Sequence, residues 1–321
     1  MSNAAPATTA GLGHSGEGRP PLPYPVLLAL LAAALIAPLF IHGYTLYLAT
    51  EALCWAIAAA ALDLLIGYAG LTPLGHIAMW GLGGYTAAVL TKLGLPLPLV
   101  LAASAVLATA YSALTAPLAL RAGGIFFLMI TLAFSQMLQV VAEKWTAVTG
   151  GTDGLTFKSG LSDTALYLVT LVCAALTLFL LSRIVRSPYG RILEAVRQNE
   201  PRARALGYAV FAYKYGAVLI ASAFIGLAGA LGAMHRGIVT PSDLFWLQSA
   251  VLLIMVLLGG ARSLWGPVIG ALLYTSLQAV VSSHTDLWAG FVGLILMALV
   301  LTGRGGLWSL LHRKQTPRKQ A

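Results

Sequence analysis

The sequence predicts an all-α, polytopic integral membrane bundle of about eight to ten transmembrane helices, on three observations. Of 321 residues, 59% are hydrophobic and only 9% charged, too apolar for an ordinary water-facing surface. Apolar stretches close to the roughly 20 residues that cross a bilayer as a helix recur along the chain. Basic residues gather in alternate connections between these stretches, as the positive-inside rule requires.

In order, the candidate spans are 26–41, 46–68, 74–92, 97–118, 124–142, 165–182, 211–235, 246–260, 264–281 and 287–301. Residues 1–25 (MSNAAPATTAGLGHSGEGRPPLPYP) have no apolar period and read as a flexible cytoplasmic N-terminal tail. The first apolar run is preceded by Arg19 alone and followed by no small-residue cleavage site, so it is read as a retained span rather than a signal peptide. Residues 26–303 read as the transmembrane domain, and 304–321 as a basic cytoplasmic tail. Cys54 and Cys173 fall inside apolar runs and read as buried structural thiols.

Ten spans with both termini inside leave only Lys92, Lys144, Lys158 and Arg236 outside, and the other fifteen of nineteen basic residues inside. The net charge of +9 therefore needs no nucleic-acid partner. Two connections are long: 183–210, basic and cytoplasmic, and 143–164, rich in Gly, Thr and Asp and external.

Within 183–210, Ser187 caps a helix whose first residue, Pro188, forfeits no hydrogen bond. That helix runs to Gln198 and yields at Asn199-Glu200-Pro201 to a second, which Gly207 closes. Two capped helices at an elbow suit protein docking better than a simple anchor at anionic headgroups, which remains the alternative.

The run SPYGRILEAVRQNEPRARALGY (187–208) resembles the cytoplasmic coupling segment of the membrane subunits of branched-chain amino acid (hydrophobic amino acid and amide) ABC importers. GYAGLTPLGHIAMWGLGGYTAAVL (67–90), GGIFFLMITLAFSQM (123–137) with TGGTDGL (149–155), and GGARSLWGPVIGALL (259–273) are similar to three further signatures of that family, in the same order. Leu71 and Pro73 stand where the family usually has Gln and Ser, and Asp63 where it has Asn, which leaves the substrate open.

The resemblance implies an ABC importer permease fold and a non-enzymatic permease subunit. Its implied partners are a second homologous permease subunit, two cytoplasmic ATPase subunits and a periplasmic binding protein, in a bacterial inner membrane. It also implies that ATP and Mg are used by the partner subunits and that this chain binds no cofactor. Gly190, Arg191, Glu194, Ala195, Arg197, Gly207 and Tyr208 would then couple to the ATPase. Candidate substrates are branched-chain amino acids, urea, short amides and small organic acids.

For the pathway, Glu51 and Asp63 are the acidic residues within the spans, where charge is costly enough to suggest function, against the plainer reading that each lies near a span end and simply reaches water. Thr72-Pro73-Leu74-Gly75-His76 puts a helix breaker at a span entrance, where irregular backbone is tolerated if it lines a cavity. Thr72 and His76 are candidates there, against the plainer reading of a capped helix and a satisfied histidine. Thr131 and Gln136, with Ser135, put polar groups on an apolar helix, to line a path or to bond across helices. Gly81, Gly83 and Gly84, then Gly226, Gly229 and Gly232, then Gly266 and Gly270 read as packing sites.

No GxxxxGK(S/T) phosphate loop, HExxH or GxSxG pattern occurs, so energy for uphill transport must come from a partner. An ion-coupled carrier or a facilitator is the alternative class, and the shortage of acidic residues weighs against the carrier.

Overall fold

A computed structural model describes residues 43–283 together with Pro38, Gly290, Gly293 and Leu294. The predicted spans 26–41 and 287–301 and both tails lie outside this range, apart from those isolated positions. Eleven α-helices are present among the described residues. They are α1 (Tyr44–Asp63), α2 (Ile77–Lys92), α3 (Leu97–Ala122), α4 (Gly124–Lys144), the short α5 (Thr146–Thr149), α6 (Asp163–Arg186), α7 (Pro188–Gln198), α8 (Glu200–Ala205), α9 (Val210–Arg236), α10 (Trp246–Gly259) and α11 (Trp265–Ser282). The chain is thus a polytopic helical membrane protein, and among the described residues six helices are long and apolar enough to span a bilayer.

At the centre stands α1, prolonged by a π-helical turn, Leu64–Ala69. Its sequence AIAAAALD carries almost no side-chain bulk, and Ala58, Ala59, Ala60 and Ala61 are fully buried. With an Ala surface on several sides, α1 is packed by α6, α9, α10 and α11 together. Where lipid replaces water the hydrophobic effect no longer drives helices together, so close backbone approach and dispersion must hold them.

The predicted glycine series supply that approach. A Cβ on Gly83 would fall on the Gly226 carbonyl, one on Gly229 on the Trp80 backbone, and one on Gly270 on the Met255 carbonyl. The glycines of α2, α9 and α11 are therefore packing sites, as their spacing predicts. Trp80 in turn lies flat on Trp55 of α1, with ring centroids 4.6 Å apart.

Several helix ends differ from the sequence reading. The third helix runs to Ala122 rather than 118, continuing past Pro117. Prolines are tolerated inside membrane helices, where neighbours satisfy the freed backbone groups. The sixth extends to Arg186, its basic last turn favourably placed at the negative end of the helix dipole. The third predicted span is also corrected: it begins at Ile77, not 74, because Gly70 turns left-handed and 70–76 is not helical.

Two helices are consequently half-spans, α2 with 16 residues and α10 with 14, about 24 and 21 Å long at 1.5 Å per residue. Both begin near mid-depth of the bundle. The buried ring of His76, just before α2, approaches Ser222 near the midpoint of α9 (Nε2 to Oγ, 3.4 Å). The Leu244 carbonyl, just before α10, accepts from Ser135 Oγ near the midpoint of α4 (2.7 Å). The two starts are joined directly, since the Ile77 N–H donates to Ser249 Oγ (3.1 Å). From there α2 runs to one end of the bundle and α10 to the other.

At one end, Leu155–Thr156 (β1) and Ile238–Val239 (β2) pair antiparallel, Leu155 opposite Val239. This ladder was not foreseen in a chain read as wholly helical. Gly150, Gly151 and Gly154 in the preceding loop all have positive φ, as the TGGTDG turn requires. The other end carries the α7–α8 elbow. If close approach holds the bundle, Gly229→Val should cost about 1–3 kcal/mol, the usual range for overpacking, read as a lowered melting temperature in detergent.

Candidate functional site

The elbow forms as its capping residues predict. Ser187 Oγ accepts from the Gly190 N–H (3.4 Å), Pro188 opens α7, and Asn199 Oδ1 accepts from the Arg202 N–H (2.9 Å) to start α8. Gly207 ends the segment at φ +87°. The amphipathic α7 buries Leu193 and Val196, and Gly190 lies against the Ile184 and Val185 carbonyls at a distance no side chain would allow. Glu200 of α8 pairs with Arg204 (2.6 Å) and Lys214 of α9 (2.5 Å), fixing the elbow angle.

The coupling candidates divide by direction. Arg191, Ala195, Gly207 and Tyr208 are exposed, beside an exposed Leu206. Glu194 and Arg197 turn back to the bundle: Arg197 Nη1 donates to the Gly67 carbonyl in the π turn (2.8 Å), and Glu194 forms an ion pair with Arg262. Gly70, where α1 ends, leaves no room for a side chain beside the Arg197 stem.

Arg262 was counted in the sequence only as a basic loop residue, yet three segments converge on it. Its backbone N–H donates to Oδ1 of the fully buried Asp63 (2.9 Å), its carbonyl accepts from the Tyr68 hydroxyl (3.2 Å), and its guanidinium meets Glu194. Its φ is +68°, the only positive value at a non-glycine among the described residues. Such a conformation persists where surrounding contacts over-determine it. The signal that could have marked this residue is a charged side chain directly after Gly259-Gly260-Ala261 in an apolar stretch.

Among the described residues, crevices enter the bundle, two of which hold pathway candidates. The first brings His76 and Thr131 together with Tyr111, Ser112 and Phe127, between α2, α3 and α4. It encloses about 350 Å³ of empty space out to its open mouth. No charged residue lines it. Tyr111 donates from its hydroxyl to the Phe134 carbonyl (2.9 Å), and Thr131 Oγ1 to the Leu128 carbonyl of its own helix (2.9 Å). Sequence reasoning missed Tyr111 and Ser112, whose helix is polar only at scattered positions.

Thr72 and Gln136 are not among the residues lining either crevice. Thr72 is exposed, and Gln136 keeps a buried Oε1 with no partner among the described residues. Glu51 lies at the strand end, in a second crevice with Trp55, Trp80, His235 and Arg236.

A membrane bundle with two discontinuous spans meeting at mid-depth, and a capped elbow tied to one of them, has the architecture of a solute permease. The chain belongs to the family described as branched-chain amino acid transport system, permease component, whose pattern matches residues 44–301. It is 30% identical over 279 residues to the high-affinity branched-chain amino acid transport system permease protein LivM of Escherichia coli K12, covering 77% of this chain and 66% of that one. The LivM of Salmonella typhimurium LT2 is 29% identical over the same length, with the same coverage. The chain thus spans about two thirds of the length of these curated relatives. No solved structure matches it.

Because Asp63 holds the Arg262 amide, Asp63→Ala should remove that part-buried hydrogen bond at a cost of about 1 kcal/mol. Hydrogen exchange should then show faster exchange at 259–263 than in the parent, with the α3–α4 contact unaffected.

Proposed function

We propose that this chain is the permease subunit of an ATP-binding cassette importer in the bacterial inner membrane. It carries branched-chain amino acids or related small solutes, delivered by a periplasmic binding protein. A second homologous permease subunit completes the membrane part, and two cytoplasmic ATPase subunits bind the ATP and Mg, this chain binding neither.

The observation that carries the reading is the attachment of the elbow to the broken core. Its outer surface offers Arg191, Ala195, Leu206 and Tyr208 to a partner, while its inner surface holds the end of α1 through Arg197 and the α10–α11 turn through Glu194 and Arg262. A push on the elbow therefore reaches the half-span α10 through an ion pair and two packed helices rather than through a slack loop. Arg183, Arg186, Arg191, Arg197, Arg202, Arg204, Lys214 and Arg262 all belong to this end, which supports a cytoplasmic elbow and cytoplasmic termini. The uncharged crevice at His76 and Thr131, at the depth where the half-spans begin, is the segment of the pathway nearest the membrane centre.

The test is to purify the full chain with the products of neighbouring genes and measure ATP hydrolysis in lipid. ATPase subunits should copurify, and hydrolysis should rise with liganded binding protein; solute movement by the chain alone, down its gradient without ATP, would replace the importer by a facilitator. In the same complex, Glu194→Arg should lower solute moved per ATP hydrolysed several-fold, and the double change Glu194→Arg with Arg262→Glu should recover most of it. Equal coupling in single and double variants would remove the ion pair from the transmission path.

A further inference from the structure

The elbow end of α6 carries two cations for which the described residues supply no anion. Arg183 and Arg186 are exposed in the last turn of this helix and take part in none of the four ion pairs among the described residues. The acidic groups described at this end are engaged elsewhere. Asp63 is fully buried against the Arg262 N–H, Glu194 pairs with Arg262, and Glu200 holds Arg204 and Lys214.

The surface leading to these arginines is apolar. Val172, Leu176, Phe179 and Leu180 are exposed and recur at three- and four-residue steps, so they line one face of α6 and run into Arg183. Thr170 and Thr177, the polar residues in the middle of the helix, are buried on its other side. The Arg183 guanidinium lies back over the Phe179 ring, 5.7 Å from its centroid. The 24 residues of α6 rise about 36 Å at 1.5 Å each, against roughly 30 Å of hydrocarbon, which leaves the last turn at headgroup level.

This arrangement matches the two parts of one anionic phospholipid. The stretch that acyl chains would cover offers no side-chain hydrogen bond, and uncompensated positive charge stands where a phosphate would lie. The outer face of the elbow differs, since it sets Arg191 among Ala195, Leu206 and Tyr208 beyond the membrane helix.

We propose that the corner between α6 and α7 binds one anionic phospholipid, its phosphate held by Arg183 and Arg186 and its acyl chains laid along Val172, Leu176 and Phe179. Arg186 also acts electrostatically on Tyr68, whose hydroxyl donates to the Arg262 carbonyl (3.2 Å), so the headgroup borders the network that holds the elbow to the core. That position gives the lipid a bearing on coupling under the importer reading, but the binding itself does not rest on that reading.

The experiment is thermal unfolding of the full chain, copurified with its partner subunits and stripped of lipid in a neutral detergent. The added compounds are dioleoylphosphatidylglycerol, dioleoylphosphatidylcholine and glycerophosphoglycerol, the last being the anionic headgroup without its chains. Phosphatidylglycerol should raise the melting temperature of the parent in a saturable way by mass action, and the other two should do so only at concentrations about ten times higher or more. The double change Arg183→Gln with Arg186→Gln keeps exposed polar side chains and removes both charges. It should need about thirtyfold more phosphatidylglycerol for the same rise, about fivefold for each arginine. Arg202→Gln, which removes an exposed charge on α8, should respond as the parent does.

Equal responses to phosphatidylglycerol and phosphatidylcholine would overturn the site, as would an equal phosphatidylglycerol response in the parent and the double variant. Equal weakening by Arg202→Gln would overturn it in favour of general surface charge, and an equal response to glycerophosphoglycerol in favour of a free phosphodiester. No lipid response in a complex whose ATP hydrolysis still rises with liganded binding protein would overturn the site while the importer reading stands. Loss of that ATP response with the lipid response intact would overturn the importer reading and support the site.

Discussion

Everything in this bundle depends on how closely α9 can approach α2 and on how little room α1 takes between its neighbours. The first is set by Gly226, Gly229 and Gly232 against Gly83 and Trp80, the second by four consecutive alanines with no exposed surface. In lipid these contacts cannot be replaced by a merely greasy surface, because lipid tails solvate such a surface equally well. Close packing here also allows irregular backbone inside. Segments 70–76 and 238–244 can leave α-helical geometry because Ser249, Ser222 and Ser135, on helices brought near, offer polar groups at the breaks.

The same geometry links interior to surface. A continuous span would end in a loop free to move by itself. In this fold, α1 ends in a π turn whose Gly67 carbonyl holds Arg197, and α10 ends in a turn whose one left-handed arginine is held by Asp63, Tyr68 and Glu194. The elbow, the central helix and a half-span are thus joined by charge-assisted contacts at the face where a partner would bind.

Much of this was legible in the sequence, for local reasons. The elbow was readable because Ser187-Pro188, Asn199-Glu200-Pro201 and Gly207 act on neighbours within four residues. The helices within 43–283 were readable from apolar length, with ends off by up to four residues where Pro117 failed to stop α3 and where basic side chains extended α6. The depth of the breaks was not legible. A proline at 73 reads the same at a surface turn or at mid-membrane, and what decides is the Ile77–Ser249 bond, 172 residues apart in sequence. Of the pathway candidates, His76 and Thr131 share a crevice, Glu51 belongs to another, and Thr72 and Gln136 line neither. Arg262 fits a charge-counting rule as an inside loop residue, and only its place directly after Gly259-Gly260-Ala261 marked it locally.

The π turn at Leu64–Ala69 has a geometric consequence of its own. A π turn stores one residue more than an α turn, and an α-helix advances by 1.5 Å and about 100° for each residue. Relaxing that one turn would therefore release a residue of slack into 70–76 and re-aim the strand of chain leading to His76 by more than a quarter of a revolution. The bundle thus contains a gear of a single tooth, placed where the grip of Arg197 on Gly67 bears directly on it.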